Sequence, residues 1–290
     1  MLRLFVKAKP KSDAGAPRLS WLTWSPEARR ALVRLAEAIP SLAQPRLVGF
    51  SGTEYGYTFS WDPLGMDTGL RRSLEALAIE FYHLRSGNGL TLVDGLIGEE
   101  IDGTVIRCFF SLTRSVLVRD TNCSDAAIYA PLGAVGGTAQ GDFPLHADLY
   151  VPVILLNVFD QIPRDGTGAS RFLRVTTLLE LLAGCGMPGA ERRRLRSIVT
   201  GVSNVDRYEE FYDLLHGAHP WKSTLEAQME AHTLRIALGR GQGYLVHDRR
   251  WLHGRDKPTG KVQRDRLHRL IFDTESTLRR RRRATQGGLS

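Results

Sequence analysis

Pro144-Leu145-His146-Ala147-Asp148-Leu149-Tyr150 opens an apolar run that continues to Phe159. Side chains two apart on a strand share a face, so a strand here aims the His146 imidazole and the Asp148 carboxylate at one point. Other short β-rich runs surround it: Leu90 to Val93, Thr104 to Leu112, Leu149 to Phe159, Thr233 to Leu238, Tyr244 to His247 and Leu267 to Phe272. Gly, Asp and Pro punctuate them. Helical signals come first in the chain. Ser25-Pro26-Glu27 offers an N-cap, a proline at the first helical position and an early acid, and Ala28, Ala31, Leu32, Leu35 and Ile39 recur at helical spacing until Pro40. A second helix starts near Asp67 or Thr68, lines Leu70, Leu74, Leu77, Ala78, Phe81 and Leu84 on one face, and ends at Gly87. A helical insert spans about 176–216, with Leu178 to Leu182, Glu191 to Ile198 and Tyr208 to Leu215. Strands interrupted by helices without regular alternation argue against a doubly wound parallel sheet. They predict a mainly β fold with α, a sandwich or jelly roll carrying helices outside.

The 290 residues suit one large domain. The expected organisation is a flexible leader over 1–20, a single domain over 21–278 and an arginine-rich tail over 279–290. With 42% hydrophobic and 24% charged residues, the chain is not of the disordered class. No apolar run approaches bilayer length, so no membrane span is expected. The few apolar residues before Lys7 are too short for a signal-peptide core. Cys108, Cys123 and Cys185 lack metal spacing and fit a reducing, cytoplasmic setting. The formal charge is +8, but Arg279 to Arg283 supply five of those charges and leave the body at +3. No aromatic residue interleaves with the arginines, so a solvated, frayed terminus is expected ahead of a nucleic-acid contact.

An H-x-D pair alone is a common accident. A facial metal site needs a third ligand, and His253, in Arg249-Arg250-Trp251-Leu252-His253-Gly254-Arg255, is the candidate. Two histidines and one carboxylate hold a metal while leaving positions open, the arrangement of non-haem Fe(II) oxygen chemistry; zinc also suits such donors on affinity. Sixteen residues on, Arg269 precedes the apolar run Leu270-Ile271-Phe272. A buried arginine needs an anionic partner, and a carboxylate matches its planar fork. A dicarboxylate could chelate iron at one end and meet Arg269 at the other.

These residues resemble the Fe(II)/2-oxoglutarate-dependent dioxygenases, in particular the taurine dioxygenase and clavaminate synthase-like family. His146-x-Asp148, the segment ending Leu252-His253-Gly254-Arg255, and Arg269-Leu270-Ile271 follow the family pattern in order and spacing. Gly89 to Leu96 is similar to its early leucine-rich strand, Asp165 to Phe172 to its glycine-rich turn followed by a hydroxyl residue, here Ser170, and Gly239 to Val246 to the strand before its distal histidine. The resemblance covers about residues 88–273. It implies a double-stranded β-helix (jelly roll, cupin-like) core with outer helices. It also implies Fe(II) on His146, Asp148 and His253, and 2-oxoglutarate as co-substrate against Arg269 and Ser170. The implied reaction uses O2 to hydroxylate an unactivated C–H bond, with desaturation or cyclisation as variants, and releases succinate and CO2. The presence of Asp148 disfavours the halogenating relatives, and the 105 positions between Asp148 and His253 disfavour the nucleic-acid demethylases. Where the family reads Asp-Asn-Arg, this chain has His247-Asp248-Arg249; Asp248 is expected to take over the asparagine's hydrogen bonding, and His247 to be structural. With 33 Arg against 6 Lys, the expected partner is a small, anionic or amino-acid-like metabolite rather than a nucleic acid. The alternatives are a non-catalytic jelly-roll binding protein and a nucleic-acid-associated protein that uses the arginine tail.

Several residues have plainer readings. His216 and His219 fit a helix C-terminus capped by Gly217, and His83 a helix end. Arg192, Arg193, Arg194 and Arg196 read as a solvated helix face, with a clamp over an anionic substrate as the functional alternative. Trp251 is expected in the core. Tyr55, Tyr57, Phe59 and Trp61 alternate with small residues, as an edge strand or an aromatic wall, and Asn122 to Asp125 read as a loop.

Overall fold

Period-two alternation sorts the strands into two sheets, each with one face toward the other sheet and one toward helices. The computed structural model describes residues 19–43, 46–50, 53–58, 66–84, 87–95, 103–119, 127–132, 143–148, 153–160, 168–201, 205–257 and 267–273. The larger sheet has eight strands: β1 (Ser20–Thr23), β2 (Arg46–Phe50), β3 (Thr53–Thr58), β4 (Leu90–Asp94), β5 (Ala127–Leu132), β7 (Val153–Phe159), β10 (Gly243–His247) and β12 (Leu267–Asp273). Their order is β1-β4-β10-β7-β12-β5-β3-β2; β1 runs parallel to β4, and the other pairs are antiparallel. The smaller sheet is β6 (Phe143–His146), β11 (Trp251–Arg255), β8 (Ser170–Arg174) and β9 (Leu234–Ile236), in the order β6-β11-β8-β9.

The alternation is plainest on β7. Ile154, Leu156 and Val158 join the core under the first three helices, while Leu155 and Phe159 face the space between the sheets. β12 splits likewise, with Leu270 and Phe272 outward and Ile271 inward. The outer face of the large sheet is covered by α1 (Pro26–Ala38), α2 (Thr68–His83) and α3 (Gly103–Arg119). α1 begins as the sequence predicts: the Ser25 side chain accepts from the Ala28 N–H at 3.1 Å, a cap contributing about 1 kcal/mol. Leu145, Ala147, Leu173 and Leu252 on the small sheet's outer face meet α4 (Val175–Leu181), α5 (Gly189–Thr200), α6 (Tyr208–His216) and α7 (Lys222–His232). Between the sheets, Phe172 packs edge-on to Tyr244 at 4.8 Å between ring centres, beside Leu92, Val246 and Trp251. Such an aromatic pair adds about 0.5–1.5 kcal/mol beyond its buried area.

The protein is thus a mixed α/β structure of two sheets between helical layers, and the described helices hold more residues than the strands. That corrects the expectation of a mainly β chain, and one segment explains most of the difference. Thr104 to Leu112 is not a strand but the first half of α3. Val, Ile and Phe give the segment a strand-like composition. Yet α3 is wedged against α1, α2 and the sheet, so Cys108 to Leu117 are all buried and no clean helical stripe survives. The buried Thr113 and Ser115 hydroxyls donate to the carbonyls of Phe109 and Ser111, which removes their cost. The insert contains the three expected helices and also α7, which lies beyond the anticipated end at 216. The leader up to residue 18, Phe59, Trp61, residues 122–125, residues 165–167 and the arginine tail lie outside the described residues. Among the described residues, no helix is long and apolar enough to cross a membrane.

Candidate metal centre

β6 and β11 are adjacent and antiparallel, and their register sets His146 directly opposite His253. The alternation that buries Leu145, Ala147 and Leu252 among the insert helices turns His146, Asp148 and His253 inward. One ligand atom from each of these three lies within 4.8 Å of the others. Asp148 Oδ1 is 3.4 Å from His146 Nε2 and 4.0 Å from His253 Nε2, and the imidazole centres are 4.3 Å apart. Gly254 permits this approach: a Cβ there would meet the Phe143 carbonyl oxygen at 2.5 Å.

The surroundings fix the orientation of each ligand. His146 Nδ1 donates to the Pro144 carbonyl at 2.9 Å, which leaves Nε2 as the free lone pair facing Asp148. Asp248, fully buried after β10, accepts the Asp148 backbone N–H at 2.9 Å and lies 3.8 Å from His253 Nδ1. It therefore stands behind two members of the triad. His247 is held elsewhere: its N–H donates to Gly89, and its Nδ1 accepts from the Arg249 N–H at 3.2 Å. The Arg249 guanidinium donates to the Gly201 carbonyl and pins this turn to the end of α5.

Arg269 projects inward from β12. Its Nη1 donates to Asp148 Oδ2 at 2.7 Å and its Nε to Asn157 Oδ1 at 2.8 Å. The expected anionic partner of Arg269 is thus, in this structure, the triad's own carboxylate. Burial alone would raise the Asp148 pKa, but Arg269, with His146 and His253, outweighs it and holds the carboxyl well below the usual range. Burial drives the His253 pKa well below that of an ordinary histidine, with help from the neighbouring His146 and Arg269. Both histidine donors therefore face an ionised carboxylate, and His253 is a neutral base at physiological pH.

The donor set fits a divalent transition metal. Both ring nitrogens of His253 are buried without a hydrogen-bond partner, a costly arrangement that a metal on Nε2 and Asp248 at Nδ1 would relieve. Ser170 is buried on the inner face of β8, two residues before Phe172, and makes no hydrogen bond to the triad or Arg269 among the described residues. His216 Nε2 is bound to the Leu145 carbonyl at 2.9 Å, which ties α6 to β6 beside the site. His219 pairs with Asp213 at 3.1 Å and stacks on Trp221. Trp251 is buried, with its indole N–H on the Asn88 carbonyl and Arg174 over its ring. Arg192, Arg193, Arg194 and Arg196 are exposed on α5, Arg194 being paired with Glu210.

These shifts give the metal-free protein a pH signature. His253 and His216 have lowered pKa values in the fold, so below about pH 6.5 the unfolded chain takes up protons that the folded chain refuses. Stability is therefore full above that pH and falls as pH drops through this window, by up to about 1.4 kcal/mol per unit for each group. Thermal melts of metal-free protein from pH 7.5 to 5.0 should show this fall, with a shallower slope in His253→Gln. Equal slopes would contradict the burial of a neutral His253.

No protein-family model matches the chain, and no curated protein matches it. Among solved structures it is similar to an asparagine oxygenase in complex with Fe(II), 3-hydroxyasparagine and succinate, at 14% identity over 87% of this chain and 92% of that one, with a TM-score of 0.46. It is similar to the non-heme iron oxygenase OrfP in complex with Fe, succinate and (3S)-hydroxy-L-Arg, at 12% identity over 88% and 94%, TM-score 0.46. It is also similar to PvcB, an Fe, alpha-ketoglutarate-dependent oxygenase from an isonitrile synthetic pathway, at 14% identity over 69% and 81%, TM-score 0.41. At these identities and scores the likeness is faint, and the residues themselves carry the functional reading.

Proposed function

We propose that the chain is an Fe(II)- and 2-oxoglutarate-dependent oxygenase, with its two sheets forming a jelly-roll core around the metal centre. His146, Asp148 and His253 would hold Fe(II), which when bound supplies the activation of O2 and the oxidation of an unactivated C–H bond. The observation that carries this reading is the buried convergence of these three donors with both His253 nitrogens unpartnered.

The placement of Arg269 supports the co-substrate. Its guanidinium lies at the triad on Asp148 and keeps hydrogens beyond those given to Asp148 and Asn157. A planar fork there suits a carboxylate, so a ligand with two carboxylates can meet the metal and Arg269 at once. 2-Oxoglutarate offers two carboxylates, one for the metal and one for Arg269, with Ser170 as a further contact. Arg269 also orients Asp148, while His146 is held in its tautomer by the Pro144 carbonyl. The inter-sheet apolar cluster of Leu155, Phe172, Val246 and Trp251 excludes water beside the reacting centre. The substrate would be a small, anionic or amino-acid-like metabolite. The buried, unpaired thiols of Cys108 and Cys185 are in keeping with a reducing cytoplasm.

The test is turnover without the natural substrate. Protein given Fe(II), 2-oxoglutarate and O2 should release succinate and CO2 slowly, and a productive substrate should accelerate that release. No succinate above a metal-free control, across a broad panel of amino acids and organic acids, would count against the reading.

A further inference from the structure

Asn157 is the lone polar residue within the apolar run of β7, and it is completely buried. Its Oδ1 accepts from Arg269 Nε at 2.8 Å, which fixes the amide's orientation and turns Nδ2 away as a donor. That Nδ2 has no hydrogen-bond partner. The register explains what surrounds it. Tyr244 on β10 pairs with Asn157 on β7, which pairs with Arg269 on β12. Laterally paired residues share a face, so the three side chains form a row on the inner face, opposite the His146–His253 pair. The Tyr244 ring is held edge-on by Phe172, and its hydroxyl has no hydrogen bond among the described residues. Burial pushes the Tyr244 pKa up to about 12, so the hydroxyl stays a donor. Of the five guanidinium hydrogens on Arg269, Asp148 and Asn157 take two. The row therefore offers donors from three strands, and the Asn157 Oδ1 acceptor within it is already engaged by Arg269.

We propose that Arg269, Asn157 and Tyr244 form the floor of a carboxylate site, in which Asn157 Nδ2 and the Tyr244 hydroxyl bind the ligand carboxylate that Arg269 attracts. This rests on the oxygenase reading and deepens it: the end of 2-oxoglutarate remote from the metal would lie along the row. The geometry also explains an asparagine in the middle of a strand that is otherwise apolar. A side chain there must accept from Arg269 and donate to a ligand at once, and an amide does both from separate atoms.

The experiment is calorimetric titration of 2-oxoglutarate into the full chain loaded with Mn(II), which requires no turnover. Asn157→Asp keeps an acceptor for Arg269 Nε but replaces the donor with a negatively charged oxygen. Tyr244→Phe keeps the ring against Phe172 and removes only the hydroxyl. Asn157→Asp should weaken 2-oxoglutarate binding by about 10-fold or more and Tyr244→Phe by about 3- to 10-fold, while neither reduces Mn(II) affinity. Should Asn157→Asp fail the far-UV circular dichroism check, Tyr244→Phe decides alone. Wild-type affinity in both variants, or in Tyr244→Phe when it stands alone, would overturn the floor. If the wild type ignores 2-oxoglutarate but binds succinate, glutarate or another carboxylate, and the variants weaken that binding, the floor stands and the 2-oxoglutarate reading falls. If the Mn(II)-loaded wild type binds no carboxylate of that panel, both fall.

Discussion

Asp148→Ala should abolish iron-dependent turnover and lower metal affinity by at least about 100-fold, since even residues supporting a metal ligand are worth 10- to 100-fold. The variant removes the one anionic ligand and also leaves Arg269 without the partner it holds at 2.7 Å. Both side chains are about one-eighth exposed, so the orphaned guanidinium costs stability as well, on the order of 3–5 kcal/mol. Asp148→Asn separates the two effects, because it retains an acceptor for Arg269 while removing the charge. His146→Ala should lose turnover with a smaller stability cost, since it strands no charge. Metal content after dialysis against free Fe(II), together with succinate release, reads both. Full iron-dependent turnover in Asp148→Ala or His146→Ala would show the site to be misassigned.

Arg269→Ala has the second largest expected effect, and it acts in two places. Loss of the guanidinium should raise the 2-oxoglutarate concentration needed for half-maximal turnover, because the distal carboxylate loses its cation. It should also destabilise the fold, since Asp148 and Asn157 Oδ1 both lose their donor. The pH dependence separates this from simple loss of packing. The folded-state Asp148 pKa is depressed, so its contribution to stability is present above the unfolded value of about 3.9 and is lost as pH falls through the folded value. In Arg269→Ala burial dominates, the Asp148 pKa rises, and that contribution should disappear at a higher pH than in the wild type. Denaturant melts between pH 3 and 7 would show the displaced transition; identical profiles would mean that Arg269 does not govern the charge of Asp148. Arg269→Lys should not rescue, because an ammonium cannot span Asn157 and Asp148 with a planar fork.

The site could be anticipated where its signal is short-range. His146 ends β6 and Asp148 follows two residues later, and the period-two alternation carried past the strand end puts them on one face. His253 and Arg269 needed a long-range pairing that no local pattern encodes; β6 facing β11 in register supplies it for His253. The contact between Arg269 and Asp148 could not be read from the chain, because the residues are 121 positions apart, one on β12 of the larger sheet and the other just past β6 of the smaller. Asn157 leaves a legible trace, a polar residue at an inward position of Val153–Phe159, but it matches no motif. Tyr244 left less, since a tyrosine in a buried strand is ordinary core. Among the helices, α1 and α2 announced themselves by caps and one apolar face, because solvent wets their other side. α3 is buried on most of its circumference, so its composition reads as strand. α7 buries only Leu225 and Met229, too few to show a period.

We propose that this triad holds Fe(II) and that 2-oxoglutarate completes the site. The most direct measurement adds Fe(II) and then 2-oxoglutarate to metal-free protein without oxygen and records the visible spectrum. A weak charge-transfer band should appear only when both are present, vanish in Asp148→Ala and weaken in Arg269→Ala. No band with either addition, with zinc retained tightly or no metal bound at all, would contradict it and leave a protein that binds its ligands without oxidising them.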